Sequence, residues 1–234
     1  MPELGAALRA AVHLILDLDR DLLEIVSLSL RVSLTAVTIS ALIGLPLGAA
    51  LVLFRFPGRM ALIVGINALM GLPPVVVGLF VYLMLSRAGP FGVLGLLFTP
   101  SAMIIAQALL AMPIIAALAR QTIESLWEEY QEQLRSLGAK PGQALWTLLW
   151  EGRFALFTAV LAGFGRASAE VGAVMIVGGN IDHVTRVMTT AIALETSKGN
   201  LALALGLGLL LILLSTAING AAFLLKETGQ RHQT

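Results

Sequence analysis

The sequence predicts an all-α membrane protein with about five transmembrane helices, and composition, hydropathy and charge placement all favour this fold class. Of the 234 residues, 58% are hydrophobic and 12% are charged, whereas ordinary soluble domains carry about 25% charged residues. The mean hydropathy is +0.91. A chain with so little polar surface cannot cover a water-exposed globule, so much of its exterior must face lipid.

The composition also argues against several classes of function. The formal net charge is only +1, which makes nucleic acid an unexpected partner because phosphate binding needs a basic patch. The chain has no cysteine, which excludes disulfides, thiolate metal sites and a thiol nucleophile. No nucleophile, base and orienting residue stand together, so we expect no catalytic residues. His183 beside Asp182 has no second histidine at ligand spacing, which favours a solvated loop residue over a metal site.

Five segments are long and apolar enough to span a bilayer as helices of about 20 residues. Four of them contain no charged residue, and the fourth in chain order contains Arg166 and Glu170. The segments are residues 32–54, 60–86, 88–119, 154–177 and 199–225. Before them, residues 1–24 show near-helical leucine spacing, which predicts an amphipathic helix in the outer interface or, alternatively, a poorly ordered terminus.

The basic residues predict the orientation of these spans. No acidic residue occurs between Glu24 and Glu124, so arginines alone mark the ends of the first three spans. The link between the first two spans contains Arg55 and Arg59, and the long segment 120–153 carries more basic residues. Both links lie on one side when the spans alternate, and the positive-inside rule assigns that side to the cytoplasm. We therefore predict an external N-terminus and a cytoplasmic C-terminus.

Prolines inside the spans indicate irregular backbone within the membrane. Pro73 and Pro74 stand near the centre of the second span, where they remove two backbone donors and free carbonyls that need other partners. We interpret these two prolines as part of a translocation pathway. Pro46 and Pro113 are expected mainly to shape helix packing.

Arg166 and Glu170 are the charged residues of the fourth span. Their spacing of four predicts one shared helical face, and each costs about 2.5–3.5 kcal/mol at a bilayer centre when unpaired. Two interpretations stay open. The residues form a static ion pair, or they line and gate a polar route.

The composition changes abruptly in segment 121–152, which predicts a helix, a tight corner and a second helix on the cytoplasmic side. Gly138 suits the C-terminal cap of the first helix, and Pro141 suits the first turn of the second. An exposed apolar face on such a projection favours a docking surface for a partner protein. The apolar positions are Leu126, Tyr130, Leu134 and Leu137, followed by Leu145, Leu148 and Leu149.

The corner resembles the coupling loop of permease subunits of ATP-binding-cassette importers. Glu132 and Gly138 match the family pattern Glu-Ala-Ala, three residues, Gly, whereas Gln133 and Leu134 replace the alanines and Glu151 stands where a proline is often found. Residues 72–78 and 164–173 are similar to the corresponding segments of molybdate and tungstate permeases. Residues 175–180, 185–192 and 194–199 are most similar to the tungstate-specific branch. The resemblance covers about residues 24–225.

This resemblance implies a type I importer fold, with residues 1–234 as a single permease domain and residues 121–152 as its coupling loop. It further implies a homodimer of this chain between an external oxyanion-binding protein and two cytoplasmic ATPase subunits, in a bacterial or archaeal inner membrane. The residues expected to contact the ATPase are Glu132, Ser136, Leu137, Gly138 and Ala139. The expected pathway or gate residues are Pro73, Pro74, Arg166 and Glu170.

The chain is expected to be a transport subunit without a cofactor of its own. It contains no G-x-x-x-x-G-K-[ST] phosphate loop, so ATP and magnesium are expected on the partner ATPase. The resemblance implies tungstate, or molybdate, as the substrate. The alternatives are a permease for another anion such as sulfate, or a stand-alone secondary transporter, which should show paired half-repeats and more intramembrane charges.

Overall fold

The computed structural model describes residues 20–231, without the side chains of residues 222 and 225–231. Within this range the chain forms nine α-helices, one short 3-10 helix and no strand, which confirms the all-α prediction. The helices are α1 (Arg20–Leu53), α2 (Arg59–Met70), α3 (Pro74–Leu85), α4 (Pro100–Ser136), α5 (Pro141–Glu151), α6 (Arg153–Ser168), α7 (Gly172–Gly178), α8 (Met188–Ser197) and α9 (Leu201–Arg231), and the 3-10 helix is Gly92–Leu94.

The number of membrane spans depends on how two bent helix pairs are counted. In the described range, α1, α4 and α9 are each long and apolar enough to cross a membrane. Helices α2 and α3 meet at 107°, and α5 and α6 meet at 75°. If each bent pair is one span, the total is five, which agrees with the predicted number. The side of the membrane on which each terminus lies stays a prediction.

The helix boundaries differ from the predicted spans at two places. Helix α1 begins at Arg20, and Leu22 packs with Met188 and Leu207 in a protein core. Leu22 therefore does not belong to a separate interfacial helix as predicted, and residues 1–19 of that helix lie outside the described range. Helix α4 runs to Ser136 without interruption, so the first helix of the predicted coupling loop is a continuation of the third span.

The prolines within α1 and α4 do not interrupt these helices. Pro46 lies inside α1 and Pro113 inside α4, and both helices continue through them, as the packing interpretation predicts. Helices α1 and α4 approach closely: a Cβ added to Gly48 would lie only 2.5 Å from the carbonyl oxygen of Ala116. Small residues allow this approach, as they commonly do between membrane helices.

The chain divides into two compact units, each built from separate stretches of sequence. Within the described range, the first unit contains residues 20–35, Pro73–Gln107 and Ser168–Ala221. The second unit contains Ala36–Leu72, Ala108–Ala167 and residues 222–231. One core of the first unit is formed by Leu22, Met188, Ala191 and Leu207. One core of the second unit is formed by Ala49, Ala119, Ile123, Leu145, Leu148 and Leu156. The single permease domain stays a prediction.

Candidate functional site

The corner between α4 and α5, in the second unit, is closed by a glycine cap. Gly138 adopts a left-handed conformation with φ of +68°. Its N–H donates to the carbonyl of Arg135 at 3.0 Å, and the Ala139 N–H donates to the carbonyl of Leu134 at 2.9 Å. These two bonds form a Schellman motif, in which glycine is favoured because a Cβ is strained at positive φ. The predicted role of Gly138 as the helix cap is confirmed.

The second arm of the corner starts as predicted, at Pro141. Pro141 occupies the first helical position of α5, where its missing N–H costs no hydrogen bond. The backbone N–H of Lys140 donates to Oε1 of Gln143 at 2.9 Å, which fixes the entry into α5. The turn between the two helices is thus held by local hydrogen bonds at both ends.

The residues expected to contact an ATPase come together on the surface of this corner. Ser136, Leu137 and Gly138 are exposed and Ala139 is half-buried. Glu132 is exposed one helical turn earlier on α4. Leu137 leaves 80% of its surface exposed, although its spacing placed it on the same apolar face as Leu126, Tyr130 and Leu134, which pack against the core of the second unit. An apolar side chain so exposed on a rigid turn can insert into another protein.

Helix α5 has two apolar faces. Ala144, Leu145 and Leu148 are buried in the second unit. Trp146 and Trp150 lie on the other face and are 68% and 70% exposed. Leu145 and Leu148, predicted to belong to an apolar face that docks a partner protein, are instead buried against the chain's own core. The exposed apolar surface of α5 is formed by the two tryptophans, close to the corner.

The backbone breaks at Pro73 and Pro74, as the two prolines predict. Helix α2 ends at Met70, and α3 starts at Pro74 after a sharp change of direction. The carbonyl oxygen of Pro73 accepts hydrogen bonds from the N–H groups of Val76 at 3.0 Å and Val77 at 3.3 Å. A role for the prolines in a pathway stays a prediction.

Helices α3 and α7 pack tightly within the first unit. A Cβ added to Gly78 would lie 2.7 Å from the Cα atom of Ala173. A Cβ added to Gly172 would lie 2.9 Å from Cγ2 of Val75. Real Cβ atoms do not approach other atoms so closely, so glycine at position 78 lets α3 touch the backbone of α7, and glycine at position 172 leaves room for the Val75 side chain.

Glu170 lies in the break between α6 and α7. Its side chain is only 2% exposed, and its Oε1 atom accepts a hydrogen bond from the Ala173 N–H at 3.0 Å. The Glu170 carbonyl accepts a further hydrogen bond from the Thr189 hydroxyl at 2.8 Å. Glu170 therefore caps the first turn of α7 and links it to α8, because a carboxylate satisfies N–H groups that have no partner within the helix.

The predicted common helical face of Arg166 and Glu170 is wrong. Helix α6 ends at Ser168, so Arg166 lies in α6 and Glu170 lies in the non-helical backbone that follows. Arg166 is half-buried and belongs to the second unit, whereas Glu170 belongs to the first. The spacing rule fails here because it assumes an unbroken helix. The role of both residues in a gate stays a prediction.

The loop between α7 and α8 is rigidly built. The hydroxyl of buried Thr185 donates to the Gly178 carbonyl at 2.6 Å and accepts from the Ile181 N–H at 2.9 Å. The Thr190 hydroxyl donates to Oδ1 of Asn180 at 2.8 Å. Such hydroxyl bonds to nearby backbone replace the regular pairing of a helix. Periodicity gave no indication of this scaffold; only the threonine and asparagine content of the segment pointed to turn chemistry.

His183, at the tip of this loop, contacts the start of α1. Its Nδ1 atom lies 2.9 Å from Oε2 of Glu24, and Asp182 pairs with Arg186 at 2.7 Å. The hydrogen bond to Glu24, followed by the charge of Asp182, raises the pKa of His183 above its ordinary value. Sequence reasoning missed the partner Glu24, because it lies 159 residues away.

A second charged cluster follows at the end of α8. Lys198 donates to Oε1 of Glu195 at 2.9 Å, and the Asn200 amide donates to Oε2 at 3.0 Å. The hydrogen bond from Lys198 lowers the pKa of Glu195 despite the opposing effect of desolvation. Among the side chains that the structure describes, no three from histidine, aspartate or glutamate are arranged to hold a metal ion.

Comparison with known proteins identifies the relatives of this chain. Residues 40–227 match the family described as binding-protein-dependent transport system inner membrane component. The chain is 40% identical to the tungstate uptake system permease protein TupB of Peptoclostridium acidaminophilum, over 97% of this chain and 100% of the relative. It is 38% identical to TupB of Campylobacter jejuni, over 94% and 92% of the two chains.

Two further relatives carry other descriptions. A probable anion ABC transporter permease protein of Haloferax volcanii is 39% identical, over 86% of this chain and 90% of the relative. The sulfate transport system permease protein CysW of Synechococcus elongatus is more distant, with 28% identity over 73% of this chain and 62% of the relative.

Proposed function

This chain belongs to the family of inner membrane components of binding-protein-dependent transport systems, and from that premise we propose that it is the permease of an ATP-driven tungstate importer. Like the permeases that it resembles, this chain is a transport component and not an enzyme. Tungstate is favoured because relatives named for tungstate uptake reach about 40% identity over nearly the full chain. The relative named for sulfate transport is more distant.

We propose that two copies of this chain form the translocation pathway below an external oxyanion-binding protein and above two ATPase subunits. ATP and magnesium would then be held by the ATPase subunits. In this arrangement the N-terminus is external, the C-terminus is cytoplasmic, and the protein lies in the inner membrane of a bacterium or archaeon. The charge pattern of the sequence supports this orientation.

The observation that carries the coupling role is the geometry of the α4–α5 corner. Its hydrogen bonds hold the turn rigid, while Leu137 stands exposed at its tip. A rigid projection can transmit the movement of an ATPase to the membrane helices as a rigid-body displacement. Glu132, Ser136, Leu137, Gly138 and Ala139 form this proposed contact.

Pro73, Pro74, Arg166 and Glu170 are proposed to line or gate the pathway. The break at Pro73 and Pro74 supports this role, because irregular backbone in membrane proteins usually lies within protein or beside a polar cavity. The burial of Glu170 also supports it, because ionisable groups in membrane segments are costly and commonly functional.

Transport in reconstituted vesicles tests the proposal for the substrate. The permease and its ATPase are reconstituted in proteoliposomes with the binding protein outside. The tungsten, molybdenum or sulfur content of the vesicles is then measured with tungstate, molybdate or sulfate outside. We expect ATP-dependent uptake of tungstate that molybdate competes with more strongly than sulfate does. Uptake without ATP or without the ATPase would overturn the importer assignment, and preference for sulfate would overturn the substrate.

Site-specific cross-linking tests the coupling contact. Because the chain has no cysteine, Leu137→Cys introduces a single thiol at the corner. Val93→Cys is the matched control, since Val93 is 98% exposed in the link between α3 and α4. We expect a thiol-reactive photo-cross-linker on residue 137 to capture the ATPase and the same label on residue 93 not to. Equal capture from both sites would contradict the proposed contact.

The number of permease copies can be counted in the same purified complex. Native mass measurement should find two copies of this chain for each pair of ATPase subunits. A complex with one copy and a different membrane subunit would contradict the homodimer.

A further inference from the structure

The face of α5 that points away from the second unit carries two of the most exposed aromatic side chains in the described range. Trp146 and Trp150 are four residues apart, so they share one side of the helix, and they are 68% and 70% exposed. The opposite side of α5 is already buried through Ala144, Leu145 and Leu148. A tryptophan buries about 150–250 Å² when it is covered, so this exposed pair represents a considerable apolar area.

The position of α5 relative to α6 indicates what covers this area. A Cβ on Gly152 would lie 2.9 Å from Cδ1 of Leu126, and a Cβ on Gly163 would lie 2.6 Å from Cδ1 of Ile115. Between these two contacts the chain advances from Gly152 to Gly163 on one side and goes back from Leu126 to Ile115 on the other. Helix α6 therefore runs antiparallel to the spanning helix α4. Helix α6 is therefore aligned with a membrane-spanning helix, and it starts at Arg153.

Helix α5 meets α6 at 75°. Because α6 follows the direction of a span, α5 lies across that direction and runs close to the plane of the membrane. Trp146 and Trp150 therefore stay near the depth at which α6 starts. Along α4 this depth is that of Leu126, which lies just beyond Arg120, where the uncharged stretch of the span ends. Lipid head groups lie at the end of an uncharged span, and tryptophan is enriched there because its ring is apolar and its N–H is polar.

Arg153 completes the arrangement at the junction of the two helices. Its guanidinium carbon lies 4.8 Å from the ring centre of Trp150 and 4.7 Å from that of Phe154, and its Nη1 atom donates to the Trp150 carbonyl at 2.7 Å. An arginine stacked on aromatic rings keeps its charge at the lipid head groups while its apolar stem stays in contact with protein. Phe157, about one turn further along α6, is also exposed.

We propose that Trp146, Trp150 and Arg153 form an aromatic anchor that lies in the lipid head-group layer and holds α5 on the membrane surface. The two exposed surfaces near the corner then have different partners. Leu137 and Gly138 project towards the ATPase, and the aromatic anchor contacts lipid. By fixing the depth of α5, the anchor also fixes the height at which the corner meets the ATPase.

Fluorescence quenching by brominated lipid tests this anchor directly. The chain has three tryptophans, so W127F with W150F leaves only Trp146, W127F with W146F leaves only Trp150, and W146F with W150F leaves only Trp127. Trp127 is the matched control, because it packs partly against the core of the second unit. Each full-length variant is reconstituted in vesicles of phosphatidylcholine brominated close to the head group, and in unbrominated vesicles.

We expect brominated lipid to reduce the emission of Trp146 and of Trp150 about twofold or more, and that of Trp127 clearly less, because interfacial indoles contact the labelled chains. Strong quenching by aqueous iodide without any effect of brominated lipid would overturn the anchor. Adding the ATPase, with the signal of a tryptophan-free permease complex subtracted, should leave the lipid quenching unchanged. Loss of lipid quenching on ATPase binding would assign this face to the ATPase instead.

This measurement needs neither ATP nor a transported anion, so its result is independent of the proposed substrate. If a double variant does not reach the membrane, the corresponding variants with tyrosine in place of phenylalanine retain more of the amphipathic character of the ring and are measured in the same way.

Discussion

Two breaks between helices, one at Gly138 and one at Glu170 to Gly172, differ in what surrounds them. Nothing lies within 4 Å of the position that a Cβ on Gly138 would occupy, and the turn around it is exposed. At the other break, a Cβ on Gly172 would collide with Val75, and Glu170 is buried. Gly138 is needed for its backbone conformation, whereas Gly172 is needed for the space that it leaves free.

This contrast shows how the same residue type serves two purposes. The open break leaves a rigid apolar tip available to another protein. The closed break is filled by the chain's own α3 helix and capped by its own carboxylate. We therefore expect substitutions at the open break to alter coupling and substitutions at the closed break to alter assembly.

The largest effect is expected for Gly78→Ala in the closed region. The added Cβ would lie 2.7 Å from Ala173 Cα, and such overpacking costs about 1–3 kcal/mol. The melting temperature in detergent should fall by several degrees, and less protein should reach the membrane. Gly208→Ala is the control, because nothing lies within 4 Å of its Cβ position in α9. Equal melting temperatures for the two variants would contradict the tight α3–α7 packing.

Glu170→Ala should have the next largest effect. Removal of the acceptor leaves the Ala173 N–H without this hydrogen bond, and an unsatisfied buried donor costs about 1–3 kcal/mol. Glu170→Gln keeps an acceptor oxygen, so its melting temperature should fall less than that of Glu170→Ala. A melting temperature of Glu170→Ala equal to that of the wild type would contradict the cap. The proposed gate is tested separately, by the transport rate per assembled complex of Glu170→Gln.

Gly138→Ala should reduce ATP-driven uptake more than it reduces stability. Alanine at φ of +68° is strained by about 1–2 kcal/mol, and relief of this strain would shift the corner away from its contact. Gly58→Ala is the control, since Gly58 has φ of +87° and equally open surroundings. Uptake per assembled complex should fall for Gly138→Ala only. A similar fall for both variants would show that strain at any exposed turn is sufficient.

The smallest effect is expected at the exposed edge of the first unit, where His183 meets Glu24. Because the pKa of His183 is raised in the folded protein, this contact stabilises the fold fully below the ordinary histidine pKa of about 6.5 and loses its effect as pH rises through the higher folded value. The facing charges are Glu24, Asp21 and Asp182. Between pH 6 and pH 8.5, the melting temperature of the wild type should therefore fall slightly more than that of His183→Gln. Identical pH profiles would show that the contact contributes nothing.

Local signals predicted most of the coupling corner. A left-handed glycine followed by proline at the start of the next helix depends only on backbone conformation over a few residues, and Gly138 and Pro141 took the positions that their types favour. The apolar spans were equally readable, because a bilayer demands about 20 apolar residues whatever the neighbouring helices are.

The arrangement at Glu170 was not predictable in the same way. Spacing in the sequence could not reveal that α6 stops at Ser168, since the residues around the stop are compatible with a helix and the competing cap depends on Ala173 and Thr189. Likewise, Leu22 became a core residue only through contacts with α8 and α9. The contact of Thr189 with the Glu170 carbonyl and the core contacts of Leu22 join segments 19 or more residues apart, which local spacing could not reveal.

The sequence by itself determined the membrane class, the approximate number of spans and the local shape of the α4–α5 corner, because hydropathy and backbone preference act over short distances. Only the tertiary structure decided which glycines are packed against another helix, that Leu22 is a core residue, and that His183 meets Glu24. These features depend on contacts between segments far apart in the chain, and such contacts leave no periodic trace in the sequence of either partner.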